Sequence, residues 1–242
     1  MLRTIKRILL WTFAACASAA LLFAGLIMWP DPLFAFSLGD GKIIIRSDRP
    51  IPDAGGNRLL HDCETLLARS PLPAEGRQYR IYVTNDEWRH RLFFLADEDA
   101  HGLTYGGFGT VFLSGADFDA GRLIHNGYVP PRPRTLAYYC GHELTHVVEV
   151  EHRFNHSHVP TWVWEGFADY VGIENRQSFE DLRDALGERP VDIPMRVRYG
   201  SYPRYRLLVT YFMEKKGWSV DHLFETRLTE DEANAVMRAD GS

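Results

Sequence analysis

The chain has 242 residues, of which 45% are hydrophobic and 24% charged, enough for one globular domain with a substantial core. Its formal net charge is −5, and no basic block follows residue 7, which argues against nucleic acid as a partner.

The N-terminus has the pattern of a membrane-spanning helix. Residues 1–7 include three basic side chains, and residues 8–29 contain no charge. At about 1.5 Å per residue, the uncharged run spans roughly 33 Å as a helix, enough to cross the hydrocarbon core of a bilayer. The basic flank predicts a cytoplasmic N-terminus, with the rest of the chain on the exported side, periplasmic or extracellular. Residues 8–29 would then be the contact with the membrane.

A cleaved signal peptide is the alternative to an anchor. Small residues at 15–20 offer a cleavage site, but the apolar run resumes after them and continues to Trp29. This continuation favours an uncleaved anchor. We therefore divide the chain into residues 1–34, an anchor or signal peptide, and residues 35–242, a single domain.

Short apolar segments separated by turn residues follow the anchor. Residues with high β-propensity predict strands at 42–46, 79–84 and 104–114. Amphipathic spacing predicts a helix at 57–69, and Asn85 begins a capping sequence for a short helix ending at residue 95. Gly- and Pro-rich composition predicts loops at 50–56 and 115–134.

The sequence H-E-x-x-H appears at His142, Glu143 and His146. It lies in an apolar run that predicts a helix, for which Thr135 is a suitable N-cap. Positions i and i+4 share a helix face, so the two imidazoles can hold one metal ion. Glu143 cannot face the metal directly, but it can reach a water bound there, as the general base of a zinc hydrolase does. The alternative is a polar helix face with two solvated histidines.

Glu165 is the candidate third ligand. Eighteen residues separate it from His146, and residues 162–170 predict a second helix. Two His and one Glu form a known catalytic zinc set that leaves one position for water. Asp169 lies one turn further on the same face, where a carboxylate can accept the free N–H of a ligand His. Alternatively, Glu165 is an ordinary helix carboxylate, but its aromatic neighbours would then bury it without a partner.

Together, H-E-x-x-H, the eighteen-residue gap and E-G-F-A-D resemble the gluzincin clan of zinc metallopeptidases, over residues 136–217. The resemblance implies one zinc ion per chain on His142, His146 and Glu165, with Glu143 as the base. It implies an α+β, zincin-like fold, in which a small mixed sheet packs on the metal-bearing helix and a helical C-terminal half follows. No G-A-M-E-N-like segment is present, which argues against an aminopeptidase.

The clan also suggests roles outside the ligand set. Asp169 matches the spacing of a carboxylate that supports a ligand His. Many gluzincins place an oxyanion-binding tyrosine one helix length before a glycine. Residues 206–217 predict such a helix, so Tyr202 fits this role best and Tyr205 next, unless both only pack. The glycine-containing strand at 104–114 would pair with an extended peptide substrate as an edge strand, or its glycines mark only a bulge or close contact.

The remaining C-terminal segments predict helices at 179–186 and 231–239 and a loop at 188–198. Between the two metal-bearing helices, the irregular spacing of three further histidines favours a solvated loop over a second metal site; these are His152, His156 and His158.

Cys63 and Cys140 have two possible states. They would bridge an early helix to the motif helix in an oxidising compartment, or remain buried free thiols, since both stand among apolar residues.

The sequence thus predicts a membrane-anchored zinc metallopeptidase that hydrolyses peptide bonds in a peptide or protein substrate. The alternative is a non-catalytic, membrane-tethered zinc domain that binds such a partner without cutting it. Glu143 argues against the alternative, because a binding site does not need it and structural zinc usually has four protein ligands. Hydrolysis of a non-peptide amide is a third possibility.

Overall fold

A mixed sheet and a helical C-terminal half follow one apolar N-terminal helix, which confirms the predicted α+β class. The computed structural model describes residues 2–95, 97–131, 134–173, 178–187 and 189–240. The strands are Phe36–Leu38 (β1), Ile43–Ser47 (β2), Tyr79–Thr84 (β3), Gly102–Tyr105 (β4), Thr110–Ser114 (β5), Ala116–Asp117 (β6) and Arg122–Leu123 (β7). The helices are Leu2–Met28 (α1), Asp53–Arg69 (α2), Glu87–Phe93 (α3), Leu136–Glu151 (α4), Thr161–Ile173 (α5), Phe179–Leu186 (α6), Ile193–Tyr199 (α7), Pro203–Thr210 (α8), Val220–Glu225 (α9) and Glu230–Asp240 (α10).

The main sheet has five strands in the order β1-β2-β3-β5-β4. Strands β2, β3 and β5 are parallel, and the two edge strands, β1 and β4, are antiparallel to their neighbours. Helix α2 makes the crossover from β2 to β3, as a parallel pair requires. Helix α4 packs against β4 and β5, so the edge of the sheet formed by β4 lies beside the motif helix.

Both faces of the central strands are covered, so each strand contains three consecutive apolar residues, at 43–45, 81–83 and 111–113. In β3, Ile81 and Val83 belong to the large core shared with the helices, whereas Tyr82 between them faces the opposite side. That opposite side is an aromatic cluster in which Tyr82 packs with Phe93 of α3 and Phe112 of β5. The period-two alternation therefore sorts side chains between two cores rather than between core and solvent.

Helix α1 is long and apolar enough to cross a membrane. The span Thr4–Met28 has a mean hydropathy of 2.0, and its most apolar window is not buried against the rest of the protein. The chain that follows packs on the sheet: Phe34 is 2% exposed and its ring centroid lies 4.9 Å from that of Tyr82. Asp31 accepts a hydrogen bond from the Tyr82 hydroxyl and pairs with Arg46 at 3.1 Å. The connection between helix and domain is therefore a structured one.

The loop prediction at 50–56 is wrong beyond residue 52, because α2 begins at Asp53 rather than at residue 57. Two glycines lie in its first turn because of close packing, not because of a turn. A Cβ on Gly55 would lie 2.5 Å from the carbonyl oxygen of Phe118, and one on Gly56 would meet the side chains of Leu38 and Ile51 at 2.5 and 2.6 Å.

The prediction of a single strand at 104–114 is also wrong, because these residues belong to a hairpin. Strands β4 and β5 pair antiparallel around a short helical turn, Gly106–Phe108. Gly109 follows with φ +64°, in the left-handed region that glycine reaches without strain. The glycines thus reverse the chain and leave β4 as the edge strand.

Three further predictions need correction. Residues 115–134 are not all loop, because β6 and β7 pair within them; residues 132 and 133 lie outside the described chain. The loop predicted at 188–198 contains α7, whose first turn accommodates Pro194 because the N–H groups there need no helical partner; residue 188 is likewise outside the description. The helix predicted at 206–217 begins at Pro203, and its α-helical part ends at Thr210, before a wider turn.

The two buried cysteines are free thiols. Burial raises the pKa of Cys63, and a hydrogen bond with Cys140 raises it further, so the two side chains are neighbours across α2 and α4. The free-thiol alternative describes this structure.

Candidate metal centre

Helix α4 presents the two motif histidines side by side in a buried position. Thr135 caps the helix, as predicted, by accepting a hydrogen bond from the backbone N–H of Tyr138. His142 and His146 lie one turn apart, are 6% and 8% exposed, and bring their Nε2 atoms to 3.2 Å from each other.

Helix α5 adds Glu165 to this pair. Its Oε2 lies 3.3 Å from Nε2 of His142 and 3.7 Å from Nε2 of His146. The two helices approach closely because glycines face each other: a Cβ on Gly141 would lie 3.3 Å from the Cα of Gly172. The carboxylate can reach the histidines only because the helix backbones are this near.

The three side chains have the geometry of a tetrahedral metal site. Metal–ligand bonds of about 2.0–2.1 Å place tetrahedral ligand atoms about 3.3–3.4 Å apart. The three separations of 3.2, 3.3 and 3.7 Å match one face of such a tetrahedron. Among the described residues, this is the one group of His, Cys, Asp and Glu close enough to hold a metal ion. The His152, His156 and His158 side chains are not part of it.

The charges of the group favour a cation. Burial lowers the pKa of His142, but the carboxylates of Asp169 and Glu165 outweigh burial and raise it to about 9. The pKa of His146 is raised well above its usual value because Glu149 and Glu165 outweigh the effect of burial. Burial acts to raise the pKa of Glu165, yet the two histidines bring it well below its usual value. A bound metal ion would therefore displace protons from the histidines.

Glu149, which the sequence alone did not single out, orients one of the two histidines. Its Oε2 lies 2.7 Å from Nδ1 of His146, and the side chain is completely buried. Such a bond fixes the tautomer that leaves Nε2 free for a metal. The available signal was the i+3 spacing from His146, which puts both residues on one face of α4.

Asp169 supports the other histidine less directly than predicted. Its Oδ1 lies 3.7 Å from Nδ1 of His142, too far for a hydrogen bond. The carboxylate instead accepts hydrogen bonds from the Tyr138 hydroxyl and, at 3.1 Å, from Nη1 of Arg206. Asp169 therefore acts on His142 as a nearby negative charge that these two partners hold in place.

The edge strand positions Glu143. The hydroxyl of Thr104 in β4 donates to Oε2 of Glu143 at 2.6 Å and also lies 2.9 Å from the Glu143 backbone carbonyl oxygen. Two residues earlier, Gly102 lies against the same side chain, and a Cβ there would be 2.5 Å from Oε1. Residues i and i+2 of a strand share a face, so this face of β4 is shaped around the carboxylate.

A cleft of about 550 Å³ gives access to the group. Strand β4 lines one side, and α4 and α5 supply Glu143 and Glu165. Trp164 and His156 also line it; the ring of Trp164 stacks on His146 at 5.3 Å, and His156 meets Trp164 edge-on at 5.2 Å.

Of the two candidate tyrosines, Tyr202 lies in the cleft. Its ring stacks on His142 with centroids 5.9 Å apart. Burial, with the nearby Glu165 and Glu143 carboxylates, raises the pKa of Tyr202, so its hydroxyl stays a proton donor. Tyr205 stacks on the far side of Tyr202, at 5.7 Å, and lines a neighbouring cavity instead.

Comparison with known proteins adds no relative: no family model matches the chain, and no curated protein matches it significantly. The chemical interpretation therefore rests on the geometry. Two imidazoles and a carboxylate can hold one cation, and a separate carboxylate and a phenol face the same cleft.

Proposed function

We propose that the chain is a membrane-anchored zinc metallopeptidase of the gluzincin type, with a zincin-like fold. The observation that carries the proposal is the position of Glu143. The hydroxyl of Thr104 holds its carboxylate in the cleft, one residue from His142 in the H-E-x-x-H order. A site that only bound a metal would not need this carboxylate.

The metal that fits this donor set is zinc, held by His142, His146 and Glu165 with one position left open. When bound, it supplies a Lewis acid that polarises a carbonyl and lowers the pKa of water to about 7. Glu143 takes a proton from the attacking water and passes it to the leaving amine as the C–N bond breaks. Tyr202 donates its hydroxyl proton in a hydrogen bond to the developing oxyanion.

The substrate is a peptide or protein on the exported side of the membrane. Helix α1 has the length and hydropathy to cross the bilayer, and the basic residues before it favour a cytoplasmic N-terminus. The structured connection through Phe34 ties the domain to the end of this helix.

The test is zinc content together with peptide hydrolysis by the full chain in detergent. We expect about one zinc ion per chain, lost in His146→Ala and Glu165→Ala but kept in His152→Ala, a histidine outside the group. Cleavage of a peptide library should stop with a chelator and return with zinc. A fully zinc-loaded chain that cuts no peptide would favour the non-catalytic binding domain.

A further inference from the structure

We propose that an arginine-lined cavity beside the cleft binds a carboxylate of the peptide substrate, close to the bond that is cut. This inference rests on the proposed function, since it names a substrate class for the same site. The cavity has a volume of about 430 Å³ and lies between α7, α8 and α10.

The cavity adjoins the metal centre through a shared wall. Ser201 and Tyr202 line both the cavity and the catalytic cleft. On the cleft side of this wall, the ring of Tyr202 stacks on His142. On the cavity side, the ring of Tyr205 stacks on that of Tyr202. A peptide that extends from the metal centre past Tyr202 would bring a neighbouring residue, or its own end, to the cavity.

The charge of the lining selects an anion. Four arginines line the cavity against two carboxylates, Glu230 and Asp231; the arginines are Arg189, Arg196, Arg204 and Arg238. This is a local excess of positive charge in a chain whose net charge is −5. Burial and the nearby Glu230 carboxylate raise the pKa of Tyr205, which places that carboxylate beside the wall of the cavity.

The arginines can bind a carboxylate through directed hydrogen bonds, in addition to attracting negative charge in general. A guanidinium group offers paired N–H donors whose geometry matches the two oxygens of a carboxylate. Arg204 is fixed in place because its Nη2 donates to the carbonyl oxygens of Gly187 and Arg189, at 2.8 and 3.0 Å. Arg196 lies in the last turn of the short helix α7, exposed at the cavity.

The carboxylate has two possible sources: an Asp or Glu side chain, or the C-terminus of the peptide. The cavity serves either chemically, so the probes must separate them. We would use three dye-labelled ten-residue peptides of otherwise neutral sequence: one with a single Glu and an amidated C-terminus, one with Gln in its place, and the Gln peptide with a free C-terminus.

Binding is measured by fluorescence anisotropy with the full-length, zinc-loaded Glu143→Gln chain, so that no turnover is needed. At 150 mM salt, where non-specific attraction is screened, we expect at least one carboxylate peptide to bind tenfold more tightly than the neutral peptide. The ratio should fall below threefold in a chain that also carries Arg189→Gln and Arg196→Gln. Arg198→Gln, on the same helix but outside the cavity lining, is the matched control and should leave the ratio unchanged.

Equal binding of all three peptides would overturn the inference, as would a preference that survives the double arginine substitution. The Glu-amide peptide binding best would identify a side-chain carboxylate, and the free-acid peptide binding best would identify the C-terminus. Hydrolysis by the unsubstituted chain is measured separately. A carboxylate preference without hydrolysis would contradict the proposed function alone, and hydrolysis without preference would contradict only this subsite.

Discussion

From its contact with His146, we predict that Glu149 contributes measurably to the zinc affinity of the proposed site. The two atoms lie 2.7 Å apart, and the Glu149 side chain has no exposed surface. A hydrogen bond to a charged group contributes about 1.5–3 kcal/mol. Replacing Glu149 with Gln keeps the shape of the side chain but removes its charge, so we expect zinc to bind about 10- to 100-fold more weakly.

The assay is competition between the metal-free protein and a chromophoric zinc chelator. Burial raises the pKa of Glu149 to about 7, so the comparison is made at pH 8, where the carboxylate is largely ionised. Glu151→Gln is the matched control: Glu151 lies on the same helix but accepts its side-chain hydrogen bonds from Arg77 and the Tyr79 hydroxyl, away from the histidines. The orienting role would be refuted if Glu149→Gln, with its fold intact, bound zinc with an affinity within twofold of that of the unsubstituted chain.

Three further predictions concern the edge strand and the histidines near it. For the proposed hydrolysis, Thr104→Val should lower kcat about 10- to 30-fold with KM little changed, because a hydrogen bond to the Glu143 carboxylate is lost. Thr104→Ser should stay within threefold of the unsubstituted chain. Gly102→Ala should lower kcat more strongly at full zinc content, because the added Cβ would lie 2.5 Å from Oε1 of Glu143. Burial, with His125 nearby, lowers the pKa of His101 from 6.5 to about 4, so unfolded chains bind more protons than folded ones in this range. Folding stability should therefore fall as pH drops from about 6.5 towards 4, less steeply in His101→Gln, as followed by urea unfolding of metal-free protein.

Each of these three predictions has an outcome that would contradict it. Equal kcat values for the valine and serine variants would show that the Thr104 hydroxyl does not position the base. If Gly102→Ala had the same kcat as the unsubstituted chain, the strand would be able to move away from Glu143 at no cost in free energy. Identical pH slopes with and without His101 would assign the acid sensitivity to other groups.

The sequence predicted which residues form the group that could hold a metal ion, because their spacing is local. His142 and His146 share a face through the period of one helix, and that helix forms as predicted. Glu165 lies on a second predicted helix, and two glycines that face each other bring the helices together.

The partners of the site residues were harder to predict, because they depend on tertiary packing. Thr104 reaches Glu143 only because the glycines at 106–109 fold the predicted strand into a hairpin with β4 at its edge. The sequence predicts one strand here because residues with high β-propensity flank the glycines on both sides. Spacing favours Tyr202 over Tyr205, and the start of α8 at Pro203 accounts for the position of the Tyr202 ring against His142.

The measurement that tests the central claim most directly compares the unsubstituted chain with Glu143→Gln on one peptide library, both loaded with zinc. We predict equal zinc content, about one ion per chain, and peptide cleavage that falls at least a thousandfold in the variant. Cleavage by Glu143→Gln at the rate of the unsubstituted chain, with the same zinc content, would contradict the account, because the carboxylate that Thr104 holds in the cleft would then not be the base.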